Sequence, residues 1–308
     1  MRIAFVGAGG VGGYFGARLA AAGEDVAFLA RGAHLEAIRR EGLRILSGAG
    51  DACVFPEASD DPAALAPAEI VVVAVKNFDT EEAGRAAARL VAPDGELLSL
   101  QNGVEAWDVL AGILGRPALG GVAYITAVIE RPGVIRHNGM LAGLALGAFD
   151  RRPSPVAERF RDACLAAKVD ARIPDDITAA IWEKFVFLTS FSAVTALARL
   201  SIGPIREDPE ARALFERAMR EAEAVAHARG IALPEDVVAR RMTVTDRLPP
   251  DSVASMAHDL ARGNRLELPW LSGAVVRMGR ALGVPTPIHE TAAALLGPFT
   301  AGDRGNRD

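Results

Sequence analysis

Three groups of residues in this chain combine types and spacings that chemistry uses. The first is Gly7, Gly9 and Gly12, at G-x-G-x-x-G spacing in Gly7-Ala8-Gly9-Gly10-Val11-Gly12. Gly7 lets the chain turn sharply, Gly9 lets backbone close on a pyrophosphate, and Gly12 lets a helix pack tightly on a sheet. The free N–H groups that open such a helix, here at Gly10 and Val11, suit an anion. The second group lies at the end of the apolar stretch Asp25 to Leu29, where Ala30 and Arg31 follow, with His34 and Arg39 close behind. A carboxylate there would favour NAD by accepting from the ribose 2′-hydroxyl, whereas an arginine accommodates the 2′-phosphate of NADP. Glu24 and Asp25 stand at the start of that stretch and no acid stands at its end, so the pattern favours NADP. The competing reading makes Arg31 a solvated surface charge.

The third group is defined by rarity. Of 34 cationic residues only Lys76, Lys168 and Lys184 are lysines. Arginine is permanently charged, while a lysine ammonium can shift its pKa on burial and give up a proton. Lys184 is the one cation within Ile181-Trp182-Glu183-Lys184-Phe185-Val186-Phe187-Leu188. On a helix Lys184, Leu188 and Ser192 share a face, with Thr195 near the same line. Snorkelling to water is the common outcome for such a lysine, and Glu183 cannot face it because adjacent helical residues diverge. Lys76 closes the apolar run Ile70 to Val75. Further on, Ser255-Met256 opens a helical stretch, and Glu267 is the only acid in Leu266 to Leu271.

The elements that position these groups follow from periodicity and turn residues. Ile3 to Val6, Asp25 to Leu29, Ile70 to Val75 and Glu96 to Leu100 read as strands, the third apolar throughout as in a parallel strand buried on both faces. Helices are expected to Ala22, from Asp79 to Leu90 and from Glu105 to Leu114, with Pro93-Asp94-Gly95 as a turn. Gly42 to Phe55 reads as a hairpin turning at Gly48 to Gly50. Leu119 to Ile129, Val134 to His137 and Leu141 to Leu146 are strand-like, separated by Arg131-Pro132-Gly133 and by Asn138-Gly139, the latter a hairpin-type turn. A helix from Pro155 to Ala167 and a strand from Val169 to Ile173 would complete the sheet. After Pro174 only helices are expected: Asp176 to Arg199, Pro209 to Arg229, Pro234 to Arg247, Asp251 to Arg262 and Pro269 to Leu282. The reading is an α/β N-terminal domain of Rossmann type over 1–173 and an all-α domain over 174–308. The polar end, Ala301 to Asp308, is expected to fray.

Composition narrows the partners. A formal charge of −5 gives no nucleic-acid footprint. Cys53 and Cys164 are far apart and form no C-x-x-C pair, so no disulfide or metal site is expected. Uninterrupted apolar runs are of strand length, and strand residues begin at Arg2, leaving no room for a signal peptide. The expectation is a cytoplasmic protein with a small-molecule partner and no membrane span, and a homodimer is compatible with the sequence.

Taken together, the order and spacing of these residues resemble the 2-dehydropantoate 2-reductase (ketopantoate reductase) family over nearly the whole chain. The matching features are Gly7-x-Gly9-x-x-Gly12, Arg31, Lys76, Asn102-Gly103, Trp182-Glu183-Lys184-Phe185, Ser255-Met256 and Glu267. The resemblance implies a C-terminal domain like that of 6-phosphogluconate dehydrogenase and an enzyme that reduces a 2-oxo acid with NADPH, ketopantoate to pantoate on the way to pantothenate. It implies Lys184 as catalytic lysine and Glu267 as active-site carboxylate. Asn102 would help place cofactor and substrate, Ser255 would meet the substrate carboxylate, and Arg31 and Lys76 would serve NADPH. The chain departs from the family on one face: substrate-reading asparagines are replaced by Leu188, Ser192 and Ser272. A paralogue acting on a more apolar branched 2-oxo acid, and a cofactor-binding regulator without turnover, are the alternatives. An NAD-linked opine-type dehydrogenase is disfavoured by Ala30-Arg31.

Overall fold

The computed structural model describes residues 1–302, without the side chains of Met140 and Leu141. Of the stretch expected to fray, 303–308 lies outside the described residues. The chain opens with β1 (Arg2–Val6), which leads through the glycine turn into α1 (Gly10–Ala21), β2 (Asp25–Leu29) and α2 (Gly32–Glu41). A hairpin of β3 (Leu43–Ser47) and β4 (Ala52–Val54) follows, antiparallel as its Gly-Ala-Gly turn predicts. Next come β5 (Glu57–Ser59), β6 (Ala68–Val73), α3 (Thr80–Ala88), β7 (Val91–Ser99) and α4 (Ala106–Leu114). The helix α2 and the short strand β5 carry too few apolar residues to have stood out in the sequence.

Strands β5, β2, β1, β6 and β7 form one sheet in that order, every neighbouring pair parallel. Successive side chains point to opposite faces, and both faces are covered. Ile3, Phe5, Ile70 and Val72 enter one apolar cluster with Phe15, Leu19 and Phe28, while Ala4, Val6, Val71 and Val73 enter another with Leu97 and Leu110. The chain builds outward from β1 to β2 and β5, then returns to place β6 and β7 on the other side. Such a reversal opens a crevice outside the strands' carboxyl ends, where open α/β sheets bind ligands. This is a Rossmann-type sheet.

The remaining strands do not complete that sheet as expected. The strands β8 (Gly120–Arg131) and β9 (Val134–Gly147), then α5 (Pro155–Ala166) and β10 (Asp170–Arg172), contribute to a second sheet. Its order is β10-β9-β3-β4, with β8 paired to β9, and a parallel bridge between Leu98 and Leu119 joins it to the first. Two expected turns are also absorbed into strands. Pro93-Asp94-Gly95 lies within β7, where the register jumps from Ala68↔Val91 to Ile70↔Glu96. Proline has no N–H for the ladder, so the extra residues loop out as a bulge. Asn138-Gly139 likewise sits inside β9, opposite a register shift between Ile125 and Ala127 in β8. The reversal comes instead at Pro132-Gly133, flanked by the pair Arg131↔Val134, with Gly133 at φ +76°. A strand as long as β8 needs a partner that continues past the bulge.

After α5 and β10 the described structure is helical: α6 (Ile177–Ala198), α7 (Ile202–Glu207), α8 (Pro209–Ala228), α9 (Val237–Arg247), α10 (Ser255–Ala261), α11 (Ser272–Leu282) and α12 (Pro287–Leu296). The short α7 and the terminal α12 go beyond the helices expected. The helices expected from Pro234, Asp251 and Pro269 begin later, because Pro234 and Pro269 lie in the turns that lead into α9 and α11. Asp208 accepts from the Ala211 N–H at 2.8 Å and so caps α8, whose first residue is Pro209. By length and composition α6 could span a bilayer, yet 67% of its most apolar window is buried within the protein. The described chain divides into two compact units, Met1–Gln101 with Glu105–Ala180, and Asn102–Val104 with the chain from Ile181 on. The division thus falls inside α6, whereas the sequence reading placed it at 173/174.

Candidate functional site

In the first unit the glycine turn has the form a phosphate needs. Gly7 follows β1 at φ +103°, and an added Cβ would lie 2.8 Å from Val75 Cγ1. At Gly12 a Cβ would fall 2.1 Å from the carbonyl oxygen of Gly7, so only glycine lets α1 approach the strand this closely. Gly10 is fixed by packing in the same way, against the Ala127 backbone of β8. Gly9 differs: a Cβ there would meet nothing within 4 Å. No protein neighbour explains its missing side chain, whereas a ligand that must touch backbone does. Gly9 also caps α1 without any side-chain bond, leaving the first N–H groups at Gly10 and Val11 to an anion. The residues present therefore fit a dinucleotide pyrophosphate.

His34 secures this turn from α2. Its Nε2 lies 2.8 Å from the Ala8 carbonyl oxygen, and the Gly133 N–H donates to its Nδ1 at 3.0 Å. A carbonyl can only accept and an N–H can only donate, so the ring is neutral with its proton on Nε2. Burial holds its pKa below the ordinary histidine value, consistent with that tautomer.

Arg31 sits between β2 and α2, at the sheet's carboxyl edge, and is not a free surface charge. It donates to Asp79 Oδ2 at 3.0 Å and to Glu82 Oε1 at 3.2 Å. The sequence places no acid at the end of β2; the fold supplies two from the segment after β6. The available signal was their position three and six residues beyond Lys76. Lys76 itself, partly buried, opens a 3-10 turn over Asn77–Asp79 whose Asp79 N–H donates to the Lys76 carbonyl at 3.0 Å.

The second unit carries the other cation. The chain leaving β7 delivers Asn102 to this unit, and Lys184 Nζ on α6 donates to Asn102 Oδ1 at 2.9 Å. Glu267 is buried, 4% exposed, just before a 3-10 turn over Leu268–Trp270. Burial pushes the Lys184 ammonium down to about 8, and the charge of Glu267 opposes that fall. Glu183 is turned away as its position predicts, pairing with Arg241 at 2.9 Å and Arg240 at 3.7 Å. Trp182 is buried against Phe185. A lysine of this kind can hold a proton at neutral pH and release it to a developing anion.

The other expected substrate residues differ in exposure and in partners. Leu188, one turn beyond Lys184, is half-buried; Ser192, two turns beyond, is fully buried with no hydrogen-bond partner for its hydroxyl, and the same holds for Thr189. Thr195 bonds back to the Phe191 carbonyl at 2.7 Å. Ser255 is exposed at the first position of α10. Ser272 is fully buried and engaged, its hydroxyl 3.1 Å from His289 Nδ1 while His289 Nε2 lies 3.0 Å from the Ala218 carbonyl oxygen. Since Nε2 must donate to that carbonyl, Nδ1 accepts and Ser272 donates. Burial drives His289 down to about 4, so the ring is neutral. Lys168, unassigned in the sequence, is exposed in a left-handed turn after α5, at φ +60°.

Comparison with known proteins agrees across both units. Residues 3–151 match the family described as ketopantoate reductase PanE/ApbA, and residues 176–299 match its C-terminal counterpart. A 2-dehydropantoate 2-reductase of Halobacterium salinarum is 35% identical, the match covering 96% of this chain and 98% of that protein. Among solved structures, a PanE/ApbA family ketopantoate reductase from Ralstonia eutropha JMP134 is 34% identical with a TM-score of 0.89, covering 97% of this chain and 98% of its own. The 2-dehydropantoate 2-reductase of Geobacter metallireducens GS-15 is 31% identical at a TM-score of 0.90, covering 97% and 99%.

Proposed function

From the premise that the chain belongs to the ketopantoate reductase PanE/ApbA family, we propose that it reduces 2-dehydropantoate to pantoate with NADPH. The first unit binds the cofactor and the second, which includes Asn102, carries the proton-transfer machinery. When bound, the nicotinamide supplies a hydride to the keto carbon. Everything else falls to this chain. Gly7, Gly9 and Gly12 shape the turn, Gly10 and Val11 offer N–H groups to the pyrophosphate, and Arg31 takes the 2′-phosphate with Lys76 beside the same crevice. Asn102 orients the Lys184 ammonium, which stabilises the negative charge that develops on the carbonyl oxygen and then protonates it. Glu267 keeps that ammonium protonated and presents a carboxylate to the substrate's polar end, with Ser255 and Ser192 as further hydroxyls. The observation that supports this reading is the half-buried Lys184, bonded to Asn102 and with its pKa lowered to about 8. Arginine at 184 would hold its proton too tightly for this role.

A second reading within the same chemistry is favoured by Leu188 and Ser272. Leu188 offers no hydrogen bond, and the Ser272 hydroxyl is already given to His289. A site that reads a substrate hydroxyl discriminates through such bonds, so a more apolar branched 2-oxo acid would suit this face. The experiment is NADPH oxidation over a panel of 2-oxo acids including 2-dehydropantoate, run beside Lys184→Ala. Turnover of 2-dehydropantoate, lost in the variant, supports the first reading. Faster turnover of an analogue lacking the hydroxyl supports the second. No turnover of any panel member refutes both.

A further inference from the structure

The cation placed for a 2′-phosphate is already occupied. Arg31 is held by Asp79 at 3.0 Å and Glu82 at 3.2 Å. Asp79 immediately precedes α3, where an aspartate ordinarily turns its side chain onto the helix's free N–H groups. Here it makes no capping bond and meets Arg31 instead. The two acids differ in freedom, since the Asp79 side chain is 26% exposed and that of Glu82 72%. Glu82 can swing into water at little cost, while the less exposed Asp79 has less room to do so.

One guanidinium facing two carboxylates leaves an excess of one negative charge. A 2′-phosphate, itself carrying close to two negative charges, lies beside acids of like charge whether it takes the N–H groups of Arg31 that these two bonds leave over or displaces a carboxylate. A ribose 2′-hydroxyl brings no charge and needs an acceptor, which Asp79 supplies. We propose that Asp79 and Glu82 are specificity-determining residues for the cofactor: they clasp Arg31, oppose the 2′-phosphate and narrow the preference for NADPH over NADH, Asp79 more strongly. The inference rests on the reading of Arg31 as the 2′-phosphate residue, and the test separates the two.

The measurement is the KM for NADPH and for NADH in the full-length protein and in Arg31→Ala, Asp79→Asn and Glu82→Gln. Removing one like charge a few ångströms from an exposed phosphate is worth about fivefold to tenfold. Asp79→Asn is therefore expected to lower the NADPH KM by about that factor and to raise the NADH KM, while Glu82→Gln lowers the NADPH KM by about twofold to threefold. Added salt should shrink these differences, because the cluster is exposed. If both acid variants keep the wild-type ratio of the two KM values while Arg31→Ala still weakens NADPH, the clasp is overturned and the 2′-phosphate reading stands. If Arg31→Ala leaves the NADPH KM unchanged, the 2′-phosphate reading itself fails and the clasp with it.

Discussion

Arg31 in the first unit and Lys184 in the second are cations kept in opposite surroundings. Arg31 stands 63% exposed at a sheet edge, crowded by two acids and always charged. Lys184 lies on a largely buried helix, bonded to a neutral amide, and burial has brought its proton within reach of release. On the function proposed above, the first unit recognises mainly with backbone, through a glycine whose added Cβ would meet nothing within 4 Å and helix N–H groups left uncapped, and the second acts through a single side chain whose strength is set by what surrounds it. Binding a fixed anion calls for a permanent charge and an accommodating main chain. Moving a proton calls for a charge that can be lost.

The widest gap between the two should appear in variants of the cations. Lys184→Ala is expected to lower kcat by ~100-fold or more with little change in the NADPH KM; Arg31→Ala should do the reverse. Steady-state kinetics decide, and a kcat in Lys184→Ala close to wild type would remove the proton-donor assignment. The pH profile sharpens the same contrast. The folded pKa of Lys184 is lowered, so the acid form needed for reduction is full below about 8 and lost above it. The rate of reduction should then fall about tenfold per pH unit on the alkaline side. For stability the sign follows from the same shift: the unfolded lysine binds its proton more tightly, so this residue's contribution rises with pH from about 8 up to its ordinary range.

Among the glycines, Gly12→Ala and Gly9→Val separate packing from binding. The first places a methyl group 2.1 Å from a carbonyl oxygen and should cost about 2 kcal/mol of stability, read as a lower Tm. The second meets open space, so Tm should hold while the NADPH KM rises about tenfold. Equal effects on Tm would erase the distinction drawn between them. The smallest effect is expected for Asn102→Ala. Losing an acceptor for the charged ammonium should move the alkaline inflection of the pH profile to lower pH by about half a unit, and a shift upward would contradict the bond as drawn.

The centre of the parallel sheet was legible because the apolar runs of β1 and β6, Ile3 to Val6 and Ile70 to Val73, are continuous and buried on both faces; β5, Glu57 to Ser59, has no such run. The sheet's glycine turn was equally plain, since spacing along the chain is spacing in the turn. The second sheet was not, because Asn138-Gly139 carries the composition of a turn yet serves as a bulge, as Pro93 does in β7 of the first sheet, and only the partner strand's length decides which. Lys184 stood out by being a lysine in an arginine-rich chain. Asp79 and Glu82 did not, because their proximity to Arg31 arises from β6 lying two strands away from β2, a long-range consequence of sheet order. Ser255 illustrates the converse: its place in the order of motifs is clear, while its exposure at the start of α10 could not be read from sequence.

Ser272 and His289 bear on how this chain could change over generations. The serine hydroxyl satisfies an imidazole that is shut off from the protein surface, and the imidazole in turn holds a carbonyl of α8. An asparagine introduced at 272 would have to fit a fully enclosed position and still offer a donor to the ring. A variant that gained such an amide would therefore be favoured only after, or together with, a replacement at 289. The two positions should vary as a pair among descendants of this sequence, and a route to an amide at 272 alone runs through an intermediate of lower stability.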